Sequence, residues 1–273
     1  MLFADLTLAR RLEFHEAWSS VEHARVTVQL YPATGATTLP VAGGHAVFCG
    51  ARSPLSQVYA AGLSGPVRAP DLEALEAFYR QRGCGVRVRV CPLVDRSLLQ
   101  LLGARGYSVQ DFMNVYAWRV SAAEDVAAAV AGLQIGVASP DQARGWFEQL
   151  GVAGDWAEPD GVAFMTIRCA LKAGARLFLA WHDGRPIGGG ALEIHDGLAA
   201  LMAAETLPAF RNQGVQTALL RARLAAAAAA GCDLALVHTR PGAASQRNVQ
   251  RAGFQLVYTT AELVSPPAVI PQT

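Results

Sequence analysis

The apolar run 198–206 breaks at Leu207-Pro208-Ala209-Phe210-Arg211-Asn212-Gln213-Gly214. It is followed by an alanine- and arginine-rich run from Val215 that ends at Gly231. Strand, tight turn with one glycine, then long helix is a sequence order that α/β architectures use. It also makes an anion cradle. The first backbone N–H groups of a helix have no intrahelical partner, and the helix dipole adds partial positive charge there. A glycine in the turn lets a pyrophosphate approach the backbone closely. The site is therefore expected to take a nucleotide-bearing cofactor.

Composition narrows the partners. The chain has 273 residues, of which 52% are hydrophobic and only 16% charged, so one large or two small cores are expected and disorder is not. A net charge of +1 with no long basic run argues against nucleic-acid binding driven by phosphate neutralisation. Five scattered cysteines, with no CxxC pair and no His/Cys cluster, read as reduced thiols and give no metal site. The start of the chain lacks the pattern of a signal peptide, and no uninterrupted apolar stretch suits a membrane span. A cytoplasmic protein without membrane or nucleic-acid partners is expected.

The chain contains the same unit twice. In the first half, strand Arg87–Val90 is followed by Ser97-Leu-Leu-Gln-Leu-Leu-Gly-Ala-Arg-Gly106-Tyr107 and the run Ser108–Tyr116. In the second, strand Leu234–His238 is followed by Ser245-Gln-Arg-Asn-Val-Gln-Arg-Ala-Gly253-Phe254 and the run Gln255–Leu263. Each glycine ends a helix and each aromatic starts a buried strand. The helices ahead of the two units, Asp71–Arg82 and Thr217–Ala230, also correspond in place. The halves differ where an anion would bind. Leu63-Ser64-Gly65-Pro66-Val67-Arg68-Ala69-Pro70-Asp71 carries two prolines, which lack N–H donors, so only the second half is expected to hold the cofactor. The boundary is placed in the alanine-rich segment near Ser121–Gln134, giving domains 1–122 and 123–273.

The rest of the second half reads as strand Leu133–Val137, a helix starting at Ser139-Pro140 and continuing through Leu150, and a helix over Phe164–Ala173. Strands Arg176–His182 and Pro186–Ile194 are joined by an Asp183-Gly184 hairpin, and Asp196-Gly197 makes the turn into Leu198–Thr206.

These elements, with Pro208-x-Phe210-Arg211-x-x-Gly214 and the helix–Gly-Phe–strand ending, resemble the GNAT superfamily of acyl-CoA-dependent N-acyltransferases. The family motif is Arg/Gln-x-x-Gly-x-Gly/Ala. Here it reads Arg211-x-x-Gly214-x-Gln216, so Gln216 departs from the small residue usual at that position. The resemblance covers about 133–264 and, more weakly, about 24–120, which is closest to a tandem GNAT with a degenerate first copy. It implies an α+β fold with a mixed central sheet flanked by helices in each half, and acetyl-CoA as cosubstrate. Arg211, Asn212, Gln213, Gly214, Val215, Gln216 and Thr217 are then the pyrophosphate loop. Ala204, Glu205 and Thr206 are the strand end that meets the pantetheine arm and the thioester carbonyl, and Ser245 and Asn248 lie across from it.

Amine acylation needs a neutral amine, a polarised carbonyl and a leaving thiolate. The position where the family often has a glutamate base is Ala200, and the position of its frequent tyrosine acid is Val249. Glu205 is left as the base, as an anchor for a substrate ammonium or as a solvent-facing strand residue, with Glu193, His195 and His238 as further candidates for the base. Ser245, Asn248 and Tyr258 are the polar groups available as acid, and Ser245 is equally readable as a helix N-cap. Arg247 and Arg251 read either as contacts to the 3′-phosphate of CoA or as a solvated helix face. Trp146, Trp156 and Phe164, interleaved with Asp155, Glu158 and Asp160, read either as an acceptor pocket for a cationic amine or as packing aromatics and a polar loop. The expected activity is transfer of acetyl to a primary amine of a small molecule, an aminoglycoside-type antibiotic being the first to consider. The alternatives are a protein or peptide amine as acceptor and a non-catalytic acyl-CoA-binding module. The chain is expected as a monomer with pseudo-dimeric halves or as a homodimer.

Overall fold

The computed structural model describes residues 2–120, 132–152 and 162–266. The chain opens with helix α1 (Leu6–Leu30), whose N-terminus is capped by Asp5 accepting from the Leu8 N–H at 2.8 Å. Strands β1 (Thr37–Val41), β2 (Gly44–Phe48) and β3 (Val58–Tyr59), helix α2 (Ala69–Arg80), strand β4 (Arg87–Val90), helix α3 (Arg96–Ala104) and strand β5 (Ser108–Arg119) follow. The second half comprises β6 (Gln134–Val137), α4 (Pro140–Val152), α5 (Val162–Ala173), β7 (Arg176–His182), β8 (Arg185–His195), β9 (Leu198–Thr206), α6 (Val215–Ala229), β10 (Leu234–Thr239), α7 (Ala244–Arg251) and β11 (Gln255–Val264).

The duplication is present at the level of backbone pairing. In the N-terminal half, β1, β2 and β3 pair antiparallel, β3 pairs parallel with β4 across α2, and β4 is flanked by an antiparallel strand. In the C-terminal half, β7, β8 and β9 pair antiparallel and β9 pairs parallel with β10 across α6. A β–helix–β unit with parallel strands needs a crossover helix, which α2 and α6 supply. The Gly-aromatic steps also match. Tyr107 N–H donates to the Leu102 carbonyl at 3.0 Å and Phe254 N–H to the Val249 carbonyl at 3.1 Å, closing α3 and α7 in the same way.

The chain forms two compact units. One holds residues 3–114 together with the described residues from 257 onward, and the other holds the described residues of 115–256. The units therefore do not follow a single cut near residue 122. The strand flanking β4 is β11, from the far end of the chain, in the register Ala261↔Val90 to Val264↔Arg87. The latter part of β5 stands beside β10. Each half thus gives its last strand to the other's sheet.

Local chemistry explains the turns of the C-terminal unit. Asp183-Gly184 and Asp196-Gly197 all have positive φ, as two-residue hairpins require. Ser139 Oγ accepts from the Gln142 N–H at 3.3 Å, and Gln142 Oε1 accepts from the Ser139 N–H at 2.8 Å, a reciprocal cap on α4. Trp146 on α4 is 1% exposed and packs with Phe147, Leu150, Leu177 and Leu179. It is core rather than acceptor pocket. Trp146→Ala is expected to cost about 3–5 kcal/mol of stability, as large-to-small aromatic truncations do; denaturant unfolding followed by circular dichroism measures it. Trp156, Asp155, Glu158, Asp160 and the Phe164 side chain lie outside the described residues. No described helix is long and apolar enough to cross a membrane.

Candidate active site

The site begins where two parallel strands part. Pairing between β9 and β10 runs from Leu198↔Leu234 to Leu201↔Val237 and ends there. Beyond Leu201, β9 continues to Thr206 without a partner on that edge among the described residues. Backbone groups that have lost a ladder partner can take a ligand amide as an added strand would. On its other edge β9 pairs with β8 through a bulge. Ala191 faces Met202 and Gly189 faces Glu205, so Ala203 and Ala204 together oppose Gly190. Ala203 takes a left-handed backbone, φ 50.

A cleft of about 1210 Å³ fills this opening. Its walls are the end of β9, the turn into α6, the first turns of α6, the end of β10 and α7. The turn is built as the anion cradle requires. Asn212 and Gly214 have φ 63 and 81, and Gly214 is the N-cap of α6. No described side chain caps the helix and its first turn carries no acidic residue, so the leading N–H groups of α6 are open to an anion.

The polar side chains of the turn brace it. Arg211 Nε donates to the Thr206 carbonyl at 3.1 Å, and its Nη2 lies 3.3 Å from Glu205 Oε1. Gln216 Nε2 donates to both the Glu205 carbonyl and Thr206 Oγ1 at 2.7 Å. This accounts for the departure from a small residue at 216. The amide folds back onto β9 and ties the helix start to the strand end. Gln213 is turned away: its Nε2 donates to the Ala209 carbonyl at 3.0 Å, and it does not line the cleft.

Ala204, Glu205, Thr206, Arg211, Asn212, Gly214, Val215, Gln216, Thr217, Ser245 and Asn248 all line the one cleft. The structure thus brings together every residue expected at the pyrophosphate loop, the strand end and α7 except Gln213. Arg247, Arg251 and His238 line it as well, and Glu193 and His195 do not. Two readings change. Ser245 is not the N-cap of α7, because the cap position is Ala243 and the helix starts at Ala244. Capping comes from within the helix, where Gln246 Oε1 accepts from the Gly242 N–H at 2.7 Å. Tyr258 is not a candidate acid. Its hydroxyl donates to Glu13 Oε1 at 2.9 Å in the N-terminal unit, where burial pushes its acidity far down.

Arg223 is a cleft residue that sequence reasoning does not find. It is 2% exposed on α6 and donates from Nε to the Leu219 carbonyl at 3.1 Å. Its Nη1 donates to the carbonyls of Ala191 at 3.2 Å and Met202 at 3.4 Å, which flank the bulge. Gly190 makes room for it, since a Cβ there would stand 2.7 Å from Arg223 Cζ. The sequence signal is the triplet Gly188-Gly189-Gly190 in a central strand, where glycine marks a close approach.

The model of the Acetyltransferase (GNAT) family matches residues 143–254, the segment that holds the bulge, the cradle and α7. Over that segment the chain is similar to the GNAT acetyltransferases. Solved structures agree on the fold. A GCN5-related N-acetyltransferase from Kribbella flavida superposes with a TM-score of 0.66 at 18% identity, over 90% of this chain and 95% of that one. A tandem GNAT protein from the clavulanic acid biosynthesis pathway gives 0.59 at 15% identity, over 81% and 77%. A GCN5-related N-acetyltransferase from Sphaerobacter thermophilus gives 0.56 at 15% identity, over 73% and 70%. No curated protein matches the chain by sequence. The matched segment includes every residue that lines the cleft.

Proposed function

We propose that the cleft of the C-terminal unit binds acetyl-CoA and that the protein transfers the acetyl group to a primary amine of a small molecule, with aminoglycoside-type amines the first class to test. The observation that carries this reading is the end of β9–β10 pairing at Leu201↔Val237, with the uncapped N-terminus of α6 opening onto the same cleft. The residues present suit the donor. The N–H groups that open α6 suit its pyrophosphate, the free edge of β9 suits its amide-bearing arm, and Arg247 and Arg251 suit its 3′-phosphate. Acetyl-CoA supplies an activated thioester; the protein supplies alignment along β9 and backbone donors at Ala204 to Thr206. Glu205, in the cleft and 32% exposed at its side chain, accepts the amine proton directly or through water.

In the N-terminal unit the matching helix start is closed. The Asp71 carboxylate accepts from the Arg68 N–H at 2.9 Å and sits in the first turn of α2, where it repels an anion. We read that half as a degenerate GNAT copy that binds no CoA.

One observation favours a second reading, a non-catalytic acyl-CoA-binding module. Glu205 is ion-paired with Arg211, and Val249, at the position where the family often has its acid, is 5% exposed and apolar. Release of free thiol from acetyl-CoA against aminoglycosides, polyamines, amino acids and lysine peptides separates the two. Amine-dependent release with product gaining one acetyl group supports the enzyme. Binding without release to any amine supports the module.

A further inference from the structure

Arg223 is a buried cation with no counter-ion among the described residues. No carboxylate pairs with it among the described residues, and its three hydrogen bonds all go to backbone carbonyls. A guanidinium has five N–H donors, and taking its charge out of water costs several kcal/mol, which neutral carbonyls offset only in part. Burial alone pushes its pKa down to about 10, with no carboxylate holding it up. In the core of a helix that packs on a sheet, an apolar side chain of the same volume would be cheaper. The sequence instead keeps the arginine and gives up a side chain at Gly190 to seat it.

Its place is specific. Nε and Nη1 are held by Leu219, Ala191 and Met202, and Nη2 makes no hydrogen bond to any described residue, while the side chain lines the cleft. Met202 directly precedes the bulge residues Ala203 and Ala204. On the reading above, that is the end of the cleft where the thioester lies, and Arg223 stands on the α6 side of it, two helical turns in from the cradle.

We propose that Arg223 receives a carboxylate at the far end of the donor's acyl chain, so that the cleft takes short dicarboxylic acyl-CoA thioesters more tightly than neutral ones. The inference rests on the CoA reading of the cleft and specifies its donor. Acetyl is then the smallest acyl group the site accepts and not the one it fits best. A carboxylate against Nη2 completes the guanidinium's bonding and neutralises the buried charge.

The test is calorimetric binding of CoA thioesters to the full chain, with no amine present. Malonyl-CoA is compared with propionyl-CoA, and succinyl-CoA with butyryl-CoA, so that each pair matches in chain length. At least one charged thioester is expected to bind about tenfold or more tightly than its neutral match, the size of one charge-assisted hydrogen bond. In Arg223→Met, and in Arg223→Gln, that gap is expected to close. Equal affinities within both pairs, with CoA itself bound, overturn the inference and leave the CoA reading intact. A gap that survives in both variants also overturns it, because the carboxylate then has another partner. Failure of every thioester and of CoA to bind overturns the CoA reading and this inference together. Equal wild-type affinities overturn the inference even where neither variant folds. A wild-type gap is then assigned with Arg223→Lys, which keeps the charge and is expected to keep most of the gap; its loss there overturns the inference.

Discussion

Gly214→Trp is expected to lower acetyl-CoA affinity by roughly 10²-fold or more while the protein stays folded. Gly214 stands at φ 81 as the N-cap of α6, among the residues lining the cleft. A side chain there meets two penalties. The left-handed backbone costs an L-residue about 1–2 kcal/mol, which a domain with roughly 5–15 kcal/mol of stability tolerates. The indole also stands in front of the N–H groups of Val215 to Thr217. Losing one or two charge-assisted hydrogen bonds, at about 1.5–3 kcal/mol each, gives a loss of that size. Calorimetry reads the affinity and thermal unfolding reads the fold. A folded variant with native affinity would remove the α6 N-terminus from the donor site.

Glu205→Gln is expected to reduce kcat by about 10²-fold, the lower range for a positioned general base, with acetyl-CoA affinity changed far less. The glutamine keeps the shape and an acceptor toward Arg211 Nη2, which stands 3.3 Å from Glu205 Oε1. The backbone carbonyl of residue 205 still receives Gln216. The substitution thus removes proton acceptance and little else. An unchanged kcat with the best amine found would take Glu205 out of the chemistry. A fall in affinity as large as the fall in rate would make it a structural brace for Arg211.

What was legible in the sequence was local. Asp183-Gly184 and Asp196-Gly197 specify two-residue turns through their own backbone preferences, and both hairpins form there. Gly106-Tyr107 and Gly253-Phe254 close their helices through bonds that reach back five residues, so the repeat shows in sequence and in structure alike. The anion cradle is local for the same reason, because a glycine and the first turn of one helix make it.

What was not legible depended on residues far apart in the chain. Nothing within Gln255–Val264 states that its pairing partner is β4 rather than a strand of its own half, since strand register is set by the partner. Tyr258 therefore looks like a neighbour of α7, and in the fold its hydroxyl meets Glu13. Arg223 lies in Leu219-Leu-Arg-Ala-Arg-Leu-Ala, where arginines read as a solvated face, and only Gly190 on another strand reveals it as buried. Helix α1 is obscured differently. Its buried positions mix Ala9, Leu12 and Ala17 with Glu13, His15 and Ser20, so polar residues interrupt the apolar stripe that marks a packed helix.

The central claim is that one of the two halves is a donor site: α6 starts uncapped at Gly214, whereas α2 carries Asp71 in its first turn. The stoichiometry of acetyl-CoA binding to the full chain, measured by isothermal titration, tests it most directly. One acetyl-CoA per chain, lost in Gly214→Trp, is the expected result. No binding, or two equivalents per chain with one surviving in Gly214→Trp, would contradict it.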